Sequence, residues 1–399
     1  MMRIFLVFIL LLVSNKSIAD ELSNFGVLKS LTNKDADFLY FKPKVSNRII
    51  IDLNYDNNYQ SSDGRNEFQE SSGKIRYFNN INFNNYFALN SYVKVQKIDN
   101  NNEIHKRSLS NSGGDRAFEN MGSYIEEINL NYKYKNNNLI IGKFNLDFGS
   151  AWRWDRGLWI HNVAEEYKQT EKIGIADFIK IGNSKKTGQY NFGYSLFTND
   201  RKNFDNSIMA NRDSAHKSDA TVGDTRSLKS YNIFLEVNFN FSKKEKLNYH
   251  FSYINLAINK RNAPSNRNSD QHGLTAGMNY KFPISDNFEL DGILEYADIK
   301  NFAGSKNHDQ KYYSFNLINR FYNNYNILVG NSMVKNFNNP NNLLKRNLSE
   351  ISLGYEFDKS NFFDNLTMQL GWKIERIDFV STVLKQNSYG FLARYTKSF

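Results

Sequence analysis

Two groups of residues in this chain could do chemistry. His250 and Ser252 stand two apart in a segment that alternates apolar and polar residues. A strand would put both on one face, where an imidazole could take the proton of a hydroxyl nucleophile. The six histidines, at 105, 161, 216, 250, 272 and 308, show no paired metal-ligand spacing. There is no glycine loop ending in Lys-Ser/Thr to cradle a nucleotide, and no Cys for thiolate chemistry or disulfides. Neither a cofactor nor a metal is expected. The denser group lies in 145–171, where Trp152, Trp154 and Trp159 are three of the 4 Trp and stand beside Arg153, Asp155 and Arg156. Glu165, Glu166 and Lys168 follow, with Asp147 and Glu171 near the ends. Bulky aromatics need a surface to pack on, whereas charges need water. Such a segment can lie against a wall and present its charges to a narrow aqueous space, where their fields are strongest.

The elements that would position these residues repeat every second residue, which is the strand period. Tyr231, Ile233, Leu235, Val237, Phe239 and Phe241 share one face, and Asn232, Glu236, Asn238 and Asn240 share the other with one apolar exception, Phe234. Leu366, Met368, Leu370, Trp372 and Ile374 likewise oppose Thr367, Gln369, Gly371, Lys373 and Glu375. The connections alternate in length. Short joints fall at 84–85, 135–138, 182–188, 242–246, 283–287, 322–324 and 358–361; long polar stretches fall at 56–71, 97–122, 145–171, 198–227, 258–271, 298–310, 335–346 and 376–387. Short turns at one end and long loops at the other predict an all-β transmembrane antiparallel barrel of about 16 strands, with 14 to 18 compatible, having short periplasmic turns and long external loops.

Composition agrees. Hydrophobic content is 40% with a mean hydropathy of -0.62, and no second long apolar run could form a spanning helix. Aromatic content is 15%, with only 4 Pro, which suits strands and interfacial girdles. If the apolar parity faces lipid, the other parity lines the lumen. The basic lining is then Arg48, Lys74, Arg76, Lys94, Arg320, Lys373 and Arg394, opposed by Asp52, Glu127, Glu236, Glu289, Asp291, Glu295 and Glu375. The near-balance predicts weak ion selectivity, tilted by whatever charges the loop 145–171 sets at the narrowest point.

Arg3, the apolar run Ile4 to Val13, and Ser17 and Ala19 before Asp20 predict a cleaved secretory leader over 1–19. An N-terminal periplasmic segment, 20–46, would lead into a barrel over 47–399, and 20–46 is too short for a plug domain. The formal charge is +10; without the leader's Arg3 and Lys16 it is +8. Much of the surplus sits in turns such as Lys185 and Lys186, so no nucleic-acid partner is expected.

The last strand sets Tyr389, Phe391, Ala393, Tyr395, Lys397 and Phe399 on one face and ends on Phe399. This resembles the C-terminal assembly signal of bacterial outer-membrane barrels, and the resemblance implies Phe399 as that signal and the barrel-assembly machinery as a partner. Asn47 to Tyr55, Tyr124 to Tyr132, and the run Ile141-Gly-Lys-Phe-Asn-Leu-Asp-Phe-Gly149 resemble proteobacterial outer-membrane porins of the phosphate-selective type, in which a Gly-x-Phe-x-x-x-Phe-Gly strand leads into the constriction loop. The chain lacks that type's dense Lys or Arg cluster in the loop. The resemblance implies passive, anion-leaning diffusion of small hydrophilic solutes and ions across a Gram-negative outer membrane, lipid around the barrel, and a homotrimer. The alternatives are an adhesin or a barrel enzyme resembling outer-membrane phospholipase. For the latter, Tyr253 follows Ser252 where that family has Asn and Gly, and the parity turns His250 and Ser252 away from lipid. No enzymatic activity is expected.

Overall fold

The computed structural model describes residues 43–98, 115–154, 157–200, 222–225, 227–259, 267–322, 324–338, 343–357 and 365–399. The expected leader, 20–42 of the N-terminal segment, Asp155 and Arg156 lie outside them. The strands are β1 Lys44–Ser61, β2 Phe68–Asn82, β3 Phe87–Lys97, β4 Arg116–Ala117, β5 Met121–Tyr134, β6 Asn137–Phe144, β7 Lys172–Asn183, β8 Gly188–Asn199 and β9 Ser230–Asn240. There follow β10 Lys246–Leu256, β11 Gln271–Ser285, β12 Phe288–Lys300, β13 Asp309–Phe321, β14 Tyr325–Phe337, β15 Leu343–Glu356, β16 Leu366–Phe379 and β17 Val383–Ser398. The two-residue β4 pairs parallel with β2 at the loop end, past the end of β3, and does not span the wall. The other sixteen form one antiparallel ring. It closes where β17 meets β1, with Asp52 opposite Arg394. Asn47 N donates to Phe399 O at 2.8 Å and Phe399 N to Asn47 O at 3.0 Å. Closure removes every free edge, which is what lets a sheet cross hydrocarbon.

The outer parity is apolar and unshielded. Leu53, Ile141, Phe192, Leu274, Phe315, Ile351 and Leu370 are all exposed, Leu370 at 60%. A belt of this kind around a whole domain far exceeds what a protein surface offers to water and matches the lipid-facing band of a barrel. The expected facing holds, including Phe234 as the inward exception. Gly193 lies opposite it, where a Cβ would come within 2.0 Å of the Phe234 ring.

Strand ends differ from expectation. The stretches 56–71, 335–346 and 376–387 are mostly ladder, because β1 runs to Ser61, β14 to Phe337, β15 starts at Leu343, and β16 and β17 leave only 380–382 between them. Arg376 still pairs with Lys385 there, and Asp378 with Val383. Beyond the bilayer both faces of a strand are wet, so the apolar alternation stops although the backbone ladder continues. The expected short joint at 358–361, between β15 and β16, lies outside the described residues.

The inner parity is polar only in part. Ile254, Ile293, Ile299, Ile318, Leu328, Tyr312, Val334 and Leu348 point inward and are buried. They belong to β10 and β12–β15, and they are dry because a loop covers them.

Candidate functional site

That loop is 145–171, the third connection at the long-loop end. It carries two short helices, α1 Ala151–Trp154 and α2 Ile160–Glu165. In and just after α2, Ile160, Val163, Ala164 and Tyr167 are buried while His161, Asn162, Glu165 and Glu166 stay accessible. The spacing i, i+3, i+4, i+7 gives one apolar stripe for the wall and one polar face for the lumen.

Two carboxylates pin the loop. Glu295 on β12 accepts from Ser150 N at 2.6 Å, Ser150 Oγ at 2.5 Å and Ala151 N at 3.0 Å, and the Tyr167 hydroxyl donates to it as well. Glu350 on β15 accepts from Leu158 N at 2.7 Å, Trp159 N at 2.9 Å and Ile160 N at 2.8 Å. The first amides of a helix have no acceptor within it, and an anion there is favoured. Trp159 makes a third attachment. Its ring fills a notch at Gly371 and Gly390, cross-strand neighbours on β16 and β17, where Cβ atoms would stand 3.0 and 2.5 Å from the indole. Its Nε1 donates to Asp56 at 3.0 Å. Phe148 covers Gly273 in the same way, 2.5 Å from where a Cβ would be. Trp152 packs on the large buried cluster and Trp154 on Ile293, Ile318 and Leu328.

The expected site residues separate into three places. Facing the polar side of α2, Lys74 Nζ on β2 lies 3.5 Å from Glu165. Arg76 and Arg394 clamp Asp52, each at 2.7 Å. Lys94 pairs with Glu126 at 2.6 Å, and Lys168 reaches Glu126 at 3.5 Å while lying over the Trp152 ring. Arg48 sits over Phe78. At the seat, Arg153 bridges Asp147 at 3.3 Å and Glu236 at 3.1 Å, Arg346 pairs with Glu166 and Glu375, and Lys373 pairs with Asp56 at 3.3 Å. Arg320 is held by Glu289 and Asp291, at 3.0 and 3.3 Å.

Some expected lining residues are corrected. Glu295 does not line open water: it is 5% exposed because its oxygens serve the loop amides. Asp52 and Lys94 also point inward, yet they are buried among their own partners. The sequence reading missed Glu350, Arg346, Asp56 and Glu126. Glu126 is the extra residue of a β-bulge, since Tyr92 pairs with Glu127 and Val93 with Ile125. It joins Glu127 inside the barrel, and both accept from Asn145 Nδ2, at 2.7 and 2.6 Å. Two adjacent Glu in an alternating strand were the available signal; for the seat it was inward-parity glycine.

Enclosure and charge act on the loop's own groups. Enclosure raises the Glu165 carboxyl, but Lys74, His161, Lys94 and Lys168 outweigh it and hold the group well below the usual carboxylate range. Enclosure lowers the His161 imidazole; Lys74 and Arg394 push the same way and Glu165 opposes them. Lys74, Arg394, His161 and Glu165 thus share one electrostatic space between α2 and the wall. His250 and Ser252 lie deep inside the wall. His250 stacks on Phe234 with rings 6.3 Å apart, and Ser252 Oγ accepts from Asn232.

No protein-family model matches the chain, and no curated protein matches it in sequence. Solved structures do match. The outer membrane channel DcaP of Acinetobacter baumannii aligns over 89% of this chain and 97% of its own at 10% identity, with a TM-score of 0.52. OccAB3 of Acinetobacter baumannii covers 89% and 100% at 12% identity with a TM-score of 0.49. OpdK, an outer membrane protein of Pseudomonas aeruginosa, covers 89% and 99% at 12% identity with a TM-score of 0.48. The chain has the fold of a 16-strand outer-membrane channel.

Proposed function

We propose that this chain is a porin of a Gram-negative outer membrane, a passive diffusion channel for small hydrophilic solutes and ions that leans toward anions. One observation carries the reading: a loop rooted at β6 crosses the barrel interior and is pinned on the far wall by Glu295, Glu350 and Trp159. Its polar face thereby meets Lys74, with Arg76, Lys94 and Arg394 on the same stretch of wall. A loop fixed in this way narrows the lumen, and charge at the narrowest water sets which ion passes. Cations outnumber acids on that wall, which supports the anion lean. The phosphate-selective-porin type is the finer reading and rests on the segment Ile141 to Gly149. Trimer formation and recognition of Phe399 by assembly machinery follow from the same resemblance. His250 and Ser252 lie on the inner parity beneath the loop, a poor position for hydrolysing lipid, which supports a non-enzymatic role.

The test is single-channel recording in a planar bilayer under a salt gradient. Discrete conductance steps with a reversal potential on the anion side are expected. A reconstituted, heat-modifiable barrel that never conducts would overturn the reading.

A further inference from the structure

The outer face of β13–β15 carries a feature that a water-filled pore does not use. Lys311, Lys335 and Lys345 are direct cross-strand neighbours, Lys311 opposite Lys335 and Lys335 opposite Lys345. All three have the outward parity and lie near the long-loop end of the wall. Like charges directly opposite one another on a sheet are destabilising. Among the described residues no carboxylate lies within ion-pair distance of any of them. Asp298 and Asp378 flank the row in register but pair instead with Lys300 at 3.5 Å and Arg376 at 2.7 Å. Lys311 and Lys335 rest over the Phe337 and Tyr313 rings, at 5.5 and 5.7 Å.

Below the row and extending sideways from β14 to β10 is an apolar groove in the lipid-facing surface, with a volume of about 470 Å³. Its floor is Ala276, the small residue in a cross-strand row of Phe251, Ala276, Tyr296, Tyr313 and Met333. Tyr313 and Met333 follow two residues beyond Lys311 and Lys335, and Phe315 and Asn331 four, so the groove starts about 7 Å below the charges and reaches about 13 Å. A cation row toward the loop end of the wall, beside a chain-sized apolar slot, is complementary to one kind of molecule.

We propose that this surface binds a phosphorylated, acylated lipid of the outer leaflet, its phosphate on Lys311, Lys335 and Lys345 and an acyl chain in the groove over Ala276. The leaflet assignment rests on the outer-membrane reading above; the charge and groove complementarity does not. The bound phosphate relieves the repulsion within the row, so the lipid is part of what makes this stretch of wall stable.

The experiment titrates the purified full-length barrel with bis-phosphorylated lipid A and counts retained lipid by native mass spectrometry. Wild type is expected to retain lipid. The K311Q/K335Q/K345Q variant should bind at least about tenfold more weakly, since each basic residue adds to attraction for an anionic lipid. A276W, which fills the groove and keeps the lysines, should also weaken binding. Dephosphorylated lipid A should be retained poorly, and inorganic phosphate or the deacylated phosphorylated disaccharide should fail to displace the bound lipid. Equal retention by wild type and the triple variant would overturn the proposal. Displacement by inorganic phosphate at matched concentration would also overturn it, reducing the row to a simple anion site. Heat-modifiable migration establishes that each variant is folded. Conductance is recorded on the same samples: a silent barrel that retains lipid refutes the channel and leaves this inference standing, and a conducting barrel that retains none does the reverse.

Discussion

Two groups of inward polar residues in the barrel obey the same rule and do opposite things with it. On β12 and β15 the inward carboxylates Glu295 and Glu350 are buried and have their oxygens occupied by loop amides. On β2 and β17 the inward Lys74, Arg76 and Arg394 keep part of their side chains accessible, 19%, 20% and 30%. One group of side chains is a seat and the other, in the channel reading, is a passage wall. Inward polarity in a barrel is therefore no guide to contact with solute until the covering segment is known.

Removing the largest piece of the seat should have the largest effect. Trp159→Ala empties the notch at Gly371 and Gly390 and should cost about 3 to 5 kcal/mol of local stability, as for buried aromatics elsewhere. The loop should detach, seen as a higher single-channel conductance and new protease cleavage within 145–171. An unchanged conductance with the loop still protected would erase the distinction between seat and passage. Glu350→Gln retains the shape and loses the charge; with three amides served by a weaker acceptor, a loss of about 1.5 to 3 kcal/mol is expected. Noisier, partly opened channels should report it. Equal noise from wild type would mean that Glu350 does not hold the loop.

On the passage side the outcome should invert. Lys74→Gln removes a partly exposed pair worth no more than about 1 kcal/mol, so stability and loop protection should hold. The reversal potential should nevertheless move toward cations. A conductance jump without that shift would make Lys74 a member of the seat. The smallest expected effect is that of pH. His161 is held below its ordinary range, so it is neutral at neutral pH and gains charge only as the solution is acidified past that lowered value. Anion preference should rise on acidification, and His161→Asn should blunt the rise. Identical pH profiles for the two proteins would remove His161 from the passage.

Strand number, facing and the covered loop's composition could be read from the chain because hydrocarbon imposes alternation on every spanning segment. Where that solvent ends the signal ends, which is why Arg376 and Asp378 read as loop although they extend β16. The seat was harder to read. Gly371 and Gly390 carry no alternation signal of their own, and their meaning depends on a tryptophan more than two hundred residues earlier. Glu126 was hidden for another reason: one inserted residue shifts the facing of all that precede it, so strict parity cannot place a bulge.

The seam between β1 and β17 joins Asn47 to Phe399, so the first and last strands meet only after nearly the whole chain is in place. Every other wall contact is between strands adjacent in order along the ring, and each can form as a local hairpin. This one closes a loop spanning the entire protein, and its entropic cost is met only when the ring shuts. The same meeting of ends makes the start of the ring arbitrary. A chain rejoined across Asn47 and Phe399 and opened at the short connection 184–187 would have the same sixteen neighbours in the same order, with its seam moved six strands around the wall.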